Sequence, residues 1–340
     1  MYKTEITKRT LHFKQPAGTS RGVYTTHDIW LVSISSDENP GKVGVGECAP
    51  LPDLSCDALP DYESRLRELL NVFELTGHVD YNLMKPYPSM LFGIETAVLN
   101  LKNGSILFDT PFAHGKEGIP INGLVWMGTF EEMSSRLEKK IEEGFKCVKL
   151  KIGAIDFESE LELVKCIRRR FSKNTIQLRV DANGGFSVEE APKVLDRLAR
   201  LDIHSIEQPI KQRQWKDMAE ICRNSPIPVA LDEELIGVNM EGMKEELLDR
   251  IRPQYLVLKP SLHGGMKGTE EWVKLARKRN VGSWITSALE GNVGLAAVAQ
   301  LTAHTYGSDI KFAQGLGTGG LYTDNLPAVT EIRGDKLWMK

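Results

Sequence analysis

The sequence predicts an α/β chain: a closed (β/α)8 TIM barrel preceded by an α+β domain. Three observations predict it. Five short runs rich in Val, Ile and Leu (Cys147–Lys151, Ile176–Asp181, Ile203–Glu207, Pro228–Asp232 and Tyr255–Lys259) have the length of buried strands. Lys151, Asp181, Glu207, Asp232 and Lys259, which end them, follow one another at 30, 26, 25 and 27 residues, the length of a strand, a helix and two short loops. Helical patterns lie between the runs. Alternation of this kind predicts parallel strands with right-handed crossovers, so all the strand C-terminal ends meet on one rim.

Taken in order, residues 1–115 form the α+β part. Lys3–Phe13, His27–Ser35 and Lys42–Glu47 alternate as antiparallel strands, with Gln15–Gly22 a flexible loop between the first two. Helices follow at Tyr62–Thr76 and Ser89–Lys102. Residues 116–315 form the barrel. Ile121–Trp126 is its first strand, and Thr129-Phe-Glu-Glu132 is a capping box that opens a helix. Phe157, Leu161, Val164, Ile167 and Phe171 share one helix face, and Ser187-Val-Glu-Glu190 is a second capping box. Lys267–Lys278 is a helix, Gly282–Thr286 the seventh strand, Val293–His304 a helix and Ile310–Ala313 the eighth strand. The eighth helix is short or missing, because Gly315-Leu-Gly-Thr-Gly-Gly320 follows. Residues 316–340, with Leu337 and Trp338 as apolar anchors, are expected to return to the N-terminal domain.

Composition excludes several classes. A chain of 340 residues exceeds the roughly 250 of a bare barrel. A net charge of −3 gives no electrostatic case for nucleic acid or an anionic membrane. No apolar run spans a bilayer, and the first ten residues lack the apolar core of a signal peptide. Five scattered cysteines without C-x-x-C spacing suit a reducing cytoplasm and argue against a zinc site.

Asp181, Glu207 and Asp232, without a neighbouring His or Cys, favour a hard divalent cation, Mg²⁺ before Zn²⁺. Lys149, Lys151 and Lys259 share their rim. Lysines on both sides of a metal suit a carboxylate substrate whose α-proton is removed: the metal stabilises the enediolate and a lysine takes the proton. That lysine must be neutral, and nearby positive charge favours the neutral amine.

In order and at strand spacing, Lys149-x-Lys151, Asp181-x-Asn183, Glu207-Gln-Pro209, Asp232-Glu233 and Lys259 resemble the enolase superfamily, in its muconate-lactonising-type branch. The resemblance covers nearly the whole chain. It implies a modified (β/α)8 barrel under an α+β capping domain, closed by a C-terminal segment. Gly44-Val-Gly-Glu47 with Pro50-Leu-Pro52 resembles that domain's third strand and following loop. Ile121–Met127, Thr286–Asn292 and Gln314–Tyr322 resemble those members that dehydrate 2-succinyl-6-hydroxy-2,4-cyclohexadiene-1-carboxylate in menaquinone biosynthesis. By this resemblance Lys151 is the acid/base, Lys259 faces it across the substrate and Lys149 assists. Asp181, Glu207 and Asp232 hold Mg²⁺, with Mn²⁺ as a substitute. The expected partner is a small carboxylate, with neither nucleic acid nor membrane, in the cytoplasm.

Other residues have two readings. Asn183 is a turn residue or a support for lysine or metal; Glu233 is a fourth metal ligand or a structural partner of a lysine, the structural reading preferred. Ser287, Gly315 and Gly317 are tight turns or a cradle for a substrate carboxylate, built from a hydroxyl and backbone N–H groups. The loop Thr19–Gly22, with Arg21, reads as a lid over substrate. His204 reads as packed. Two lysines also serve racemisation, so N-acylamino acid racemase and dipeptide epimerase are alternatives. The family's dipeptide epimerases carry acids after the eighth strand, whereas this chain has none there before Asp324. A non-catalytic carboxylate-binding relative is the alternative of another class.

Overall fold

Three antiparallel strands open the chain: β1 (Tyr2–Thr19), β2 (Gly22–Ser36) and β3 (Val43–Cys48), in that order across the sheet. The computed structural model describes residues 1–19, 22–125, 129–153, 157–308 and 310–340. Gln15–Thr19, expected in a flexible loop, instead extend β1: pairing with β2 resumes at Ala17↔Tyr24 after a register shift beyond His12. Cross-strand backbone bonds override the loop-like composition.

Helices α1 (Tyr62–Thr76), α2 (Tyr81–Met84) and α3 (Pro88–Asn103) follow. Val32, Ile34, Leu66, Leu70, Phe73 and Ile94 form this domain's core. The contact of α3 with β3 is backbone on backbone. A Cβ at Gly44 would fall on the Ala97 carbonyl, one at Gly46 on the Gly93 carbonyl, and one at Gly93 on the Cys48 sulfur. The Gly-x-Gly of β3 is therefore a packing requirement.

A short strand β4 (Ile119–Pro120) leads into the first barrel strand, β5 (Gly123–Val125), whose expected end at Trp126 lies outside the described residues, and α4 (Phe130–Glu142) follows. Strand–helix pairs then repeat: β6 (Cys147–Lys151) and α5 (Phe157–Arg170), β7 (Gln177–Asp181) and α6 (Ala191–Ala199), β8 (Ser205–Glu207) and α7 (Trp215–Asn224). They continue with β9 (Val229–Leu231) and α8 (Glu241–Ile251), β10 (Tyr255–Leu258) and α9 (Gly265–Lys278), β11 (Gly282–Ile285) and α10 (Asn292–Tyr306). Both expected capping boxes form: Thr129 with Glu132, and Ser187 with Glu190. Strands β5 to β11 make a parallel sheet in sequence order. Val148, Leu150, Leu178 and Val180 pack in the barrel's apolar core. Strand alternation sends Lys149, Lys151, Arg179 and Asp181 to the opposite face.

Closure differs from expectation. Ile310–Ala313 is not a strand; the last rung is Gln314–Gly315, which bridges Ile121 on one side and Thr286 on the other. Gln314 N–H donates to Pro120 O and Gly315 N–H to Ile285 O, each at 2.8 Å. The apolar signal of the upstream run belongs to Phe312, which packs on Tyr255 and Trp284 with ring centroids 5.4 and 6.0 Å away.

The C-terminal segment divides. Lys14 N–H donates to Leu321 O at 2.8 Å and Thr323 N–H to His12 O at 2.9 Å, against β1. The last residues form a hairpin of β12 (Thr330–Arg333) and β13 (Lys336–Met339), and β13 pairs with β4. Leu337 and Trp338 lie on this hairpin, Leu337 in the barrel core and Trp338 against Gly118. Backbone pairing with β4 holds them at the barrel, whereas the return to the N-terminal domain is made upstream of them.

Replacing Gly46 by Ala is expected to destabilise the protein by at least about 1–3 kcal/mol, since neither backbone can yield to the added methyl. Urea denaturation measures this, and a midpoint equal to wild type would contradict the close approach.

Candidate active site

Each of β6 to β10 delivers one or two charges at its C-terminal end. In β6, alternation points Lys149 and Lys151 the same way. In register, Lys151 stands beside Asp181, and Asp181 beside Glu207. Asp232 and Lys259 immediately follow β9 and β10. The six residues meet within the barrel mouth, as their spacing predicts.

Their contacts form one network. Lys149 Nζ lies between Asp181 Oδ2 at 2.8 Å and Glu207 Oε1 at 2.7 Å. Lys151 Nζ donates to Asn183 Oδ1 at 2.7 Å and stands 3.6 Å from Asp181 Oδ2. Lys259 Nζ pairs with Asp232 Oδ2. Asn183 has a left-handed backbone, φ 44°, which a non-glycine residue adopts only under constraint. Its N–H donates to Asp181 Oδ1 at 3.1 Å, and its Nδ2 donates to Glu233 Oε1 at 3.0 Å. Asn183 thus joins Lys151 to Glu233, which is more than a turn residue needs.

Burial makes these charges interdependent. Asp181, Glu207 and Asp232 are 1%, 3% and 0% exposed. Burial opposes the charge on Lys149, but Asp181, Glu207 and Asp232 outweigh it and hold the amine above the ordinary lysine range. Lys259 is raised in the same way by Asp232 and Glu233. The two partners of Lys149 part company. Asp181, also near Lys151, is held below the usual carboxylate range against its burial. Glu207 is pushed up to about 8 by burial and by Asp181.

Sequence reasoning gave no role to two residues here. Arg179 lies one inward position below Asp181 and is 2% exposed. Its guanidinium sits 4.0 Å over the Trp284 ring and donates from Nη1 to Ala313 O at 2.9 Å. The Arg179-x-Asp181 alternation was the available signal. Gln208, φ 41°, accepts at Oε1 from the N–H groups of Asp232 and Glu234, both at 3.2 Å. It fastens the end of β8 to the turn that bears Asp232.

Among the described residues, no three His, Cys, Asp or Glu side chains converge in a metal-holding arrangement. Lys149 and Lys259 instead bind these carboxylates directly. The donor set nonetheless fits a hard divalent ion. It is all oxygen, it is buried, and Asp232 Oδ1 and Glu233 Oε2 have no hydrogen-bond partner.

The expected substrate contacts fare unevenly. Ser287, Gly315 and Gly317 line the same cavity as Lys149, Lys151, Lys259 and Asn183. However, Gly315 N–H is engaged in barrel closure, bonded to Ile285 O, so it cannot cradle an anion. The Ser287 hydroxyl donates to Glu290 Oε2 at 2.6 Å and accepts from Thr318 Oγ1 at 2.8 Å. Arg21 lies outside the described residues. Tyr24, on β2, lines the cavity, its hydroxyl bonded to Pro52 O at 2.9 Å. His263 is buried and held well below the ordinary histidine range by that burial and by Lys259; its Nδ1 accepts from Lys259 N–H at 2.9 Å. His204 stacks on Tyr255 at 5.1 Å. Asp324 pairs with His12 at 2.8 Å on the exposed side of β1.

Over 96% of both chains, the sequence is 43% identical to the o-succinylbenzoate synthase of Desulfotalea psychrophila (strain LSv54 / DSM 12343). The chain belongs to the o-succinylbenzoate synthase family. Residues 132–314 match the Enolase C-terminal domain-like family, a span that holds every charged residue of this network. A crystal structure of MenC from Desulfotalea psychrophila LSv54 superposes with a TM-score of 0.84 at 39% identity, covering 99% of each chain. The L-Ala-D/L-Glu epimerase of Bacillus subtilis, in a substrate-liganded complex, superposes with a TM-score of 0.81 at 20% identity, covering 99% of this chain and 96% of the other. The latter likeness is one of fold. Within the o-succinylbenzoate synthase family, this barrel and its capping domain therefore follow the modified TIM-barrel plan of the superfamily.

Lys149→Met leaves Asp181 and Glu207 without their shared cation. In EDTA the variant is expected to lose about 3–5 kcal/mol of stability, the usual cost of removing one partner of a buried pair. MgCl₂ should restore part of the loss, read as a shift of the urea midpoint. An equal loss with and without MgCl₂ would count against these carboxylates as metal ligands.

Proposed function

We propose that the chain removes water from 2-succinyl-6-hydroxy-2,4-cyclohexadiene-1-carboxylate to give 2-succinylbenzoate, with Lys151 as acid and base. The observation that carries the reading is the placing of Lys151 and Lys259 on one cavity beside buried carboxylates. Near-full-length identity to an o-succinylbenzoate synthase selects dehydration from the reactions two lysines can serve. Between barrel closure and Asp324 there is no acid to grip a substrate ammonium, and Asp324 is itself bound to His12.

Lys151 takes the proton from the carbon that bears the carboxylate. Asn183 Oδ1 orients its amine, and Lys149 adds positive charge nearby. When the ring C–O bond breaks, Lys151 returns the proton to the departing hydroxyl, water leaves and the ring becomes aromatic. One lysine suffices when proton and hydroxyl depart from one face. Lys259, held charged by Asp232 and Glu233, opposes the negative charge that develops. Asp181, Glu207 and Asp232 would hold Mg²⁺, or Mn²⁺ in its place, which supplies positive charge to the substrate carboxylate. Ser287, Gly317 and Arg21 are proposed to meet the substrate's far end.

The same reading divides the chain into residues 1–115, 116–315 and 316–340, and places the reaction in menaquinone biosynthesis in the cytoplasm. Among the described residues no helix is long and apolar enough to cross a membrane.

With MgCl₂ and the cyclohexadiene substrate, an aromatic absorbance band should grow. Lys151→Ala should slow it at least about a hundredfold, whereas an unchanged rate would remove Lys151 from the mechanism. Racemisation of an N-acylamino acid without any aromatic band would favour the racemase instead.

A further inference from the structure

Two carboxylates of the N-terminal domain reach across to cap barrel helices. Glu47, on β3, accepts from the N–H groups of Gly291 at 2.5 Å and Gly294 at 2.9 Å, where α10 begins. Glu95, on α3, accepts from Met266 at 2.5 Å and Lys267 at 3.1 Å, in the first turn of α9. Both are buried. First-turn amides have no partner inside their own helix, and the helix dipole favours negative charge there. Glycines make the approach feasible. A Cβ at Gly265 would fall on Glu95 Oε2, and one at Gly291 would lie 2.9 Å from Glu47 Oε2.

These two helices carry the site's loops. The loop into α9 starts at Lys259 and is folded on itself: Leu262 and His263 donate to Lys259 O at 2.8 and 2.9 Å, and Gly265 donates to Pro260 O at 2.9 Å. The loop into α10 contains Ser287. Glu290 ties the two loops together, accepting from Ser261 Oγ at 2.6 Å, Ser287 Oγ at 2.6 Å and Ala288 N–H at 2.7 Å. A continuous circuit therefore runs from Glu95 through the Lys259 loop, Ser261, Glu290 and the Ser287 loop to Glu47.

We propose that Glu47 and Glu95 are positioning residues, a two-point clamp through which the N-terminal domain fixes the loops bearing Lys259 and Ser287. The spacing of the two points is set by the backbone contact between β3 and α3 at Gly44, Gly46 and Gly93. The domain thereby acts on the barrel's chemistry as well as covering its mouth. The kinetic form of this inference rests on the dehydratase reading above.

The test compares Glu47→Gln and Glu95→Gln with Glu74→Ala. Glu74 accepts from Thr4 N–H at 2.7 Å and Thr4 Oγ1 at 2.6 Å, inside the N-terminal domain, and serves as a purely structural control. Glu95→Gln should lower kcat at least fivefold with little change in KM, because the Lys259 loop loosens. Glu47→Gln should raise KM at least fivefold with a smaller effect on kcat, because the Ser287 loop loosens. Glu74→Ala should lower Tm and leave both constants unchanged. By hydrogen–deuterium exchange, residues 259–267 should open in Glu95→Gln and 287–294 in Glu47→Gln, each at least tenfold faster. Should a Gln variant fail to fold, the Asp variants, which keep the charge but withdraw it by one methylene, give the same pattern in weaker form. Lower Tm with unchanged kinetic constants and unchanged loop exchange would overturn the clamp. If the wild-type protein does not turn over the cyclohexadiene, the dehydratase reading fails, and loop exchange alone still decides the clamp.

Discussion

Charge balance inside a closed barrel is the constraint on which the rest depends. Lys149, Lys151 and Lys259 face Asp181, Glu207, Asp232 and Glu233, nearly all out of water. An isolated ion in such a place is costly by several kcal/mol, so each charge is tolerable only because its opposites are within reach. Lys149 bridges two carboxylates, Asn183 relays Lys151 to Glu233, and Arg179 rests on an indole face. The proposed substrate carries two carboxylates and the proposed ion two positive charges, so binding both leaves the balance as it was.

The fold supplies what this balance requires. Parallel strands bring their ends to one rim, and helices on the outside keep the charges away from solvent. Rigid backbone then aims them. The left-handed residues Asn183, two positions beyond β7, and Gln208, directly after β8, each turn a side chain sideways, Asn183 to Lys151 of β6 and Gln208 to the turn after β9. Bonds from β3 and α3 to the starts of α9 and α10 extend the same frame across the domain boundary.

Much of the fold was legible in the chain. Buried parallel strands read as short apolar runs, so β6 and β7 match expectation within one residue, and the two Ser/Thr-x-x-Glu boxes mark helix starts by local chemistry alone. Legibility failed where long-range pairing overrode local signals. Gln15–Thr19 has loop composition yet extends a ladder, because β2 continues opposite it. Ile310–Ala313 has strand composition yet lies below the barrel, because Phe312 has aromatic partners in Tyr255 and Trp284. Gln314 and Gly315, with no strand character of their own, close the barrel because their neighbours on both sides offer unpaired backbone groups.

The sequence alone determined the barrel order and the six charged residues at the strand ends, since strand spacing fixes which side chains share a rim. It also carried the family, through motifs that stay in order along the chain. Tertiary structure decided how those charges are shared: that Lys149 serves Asp181 and Glu207 together, that Asn183 links Lys151 to Glu233, and that Gly315 has no free N–H to offer. It also disclosed Arg179 beneath the site and the reach of Glu47 and Glu95 into the barrel. Hydrogen bonds and Coulomb interactions depend on distances across strands and between domains, and linear order does not contain those distances.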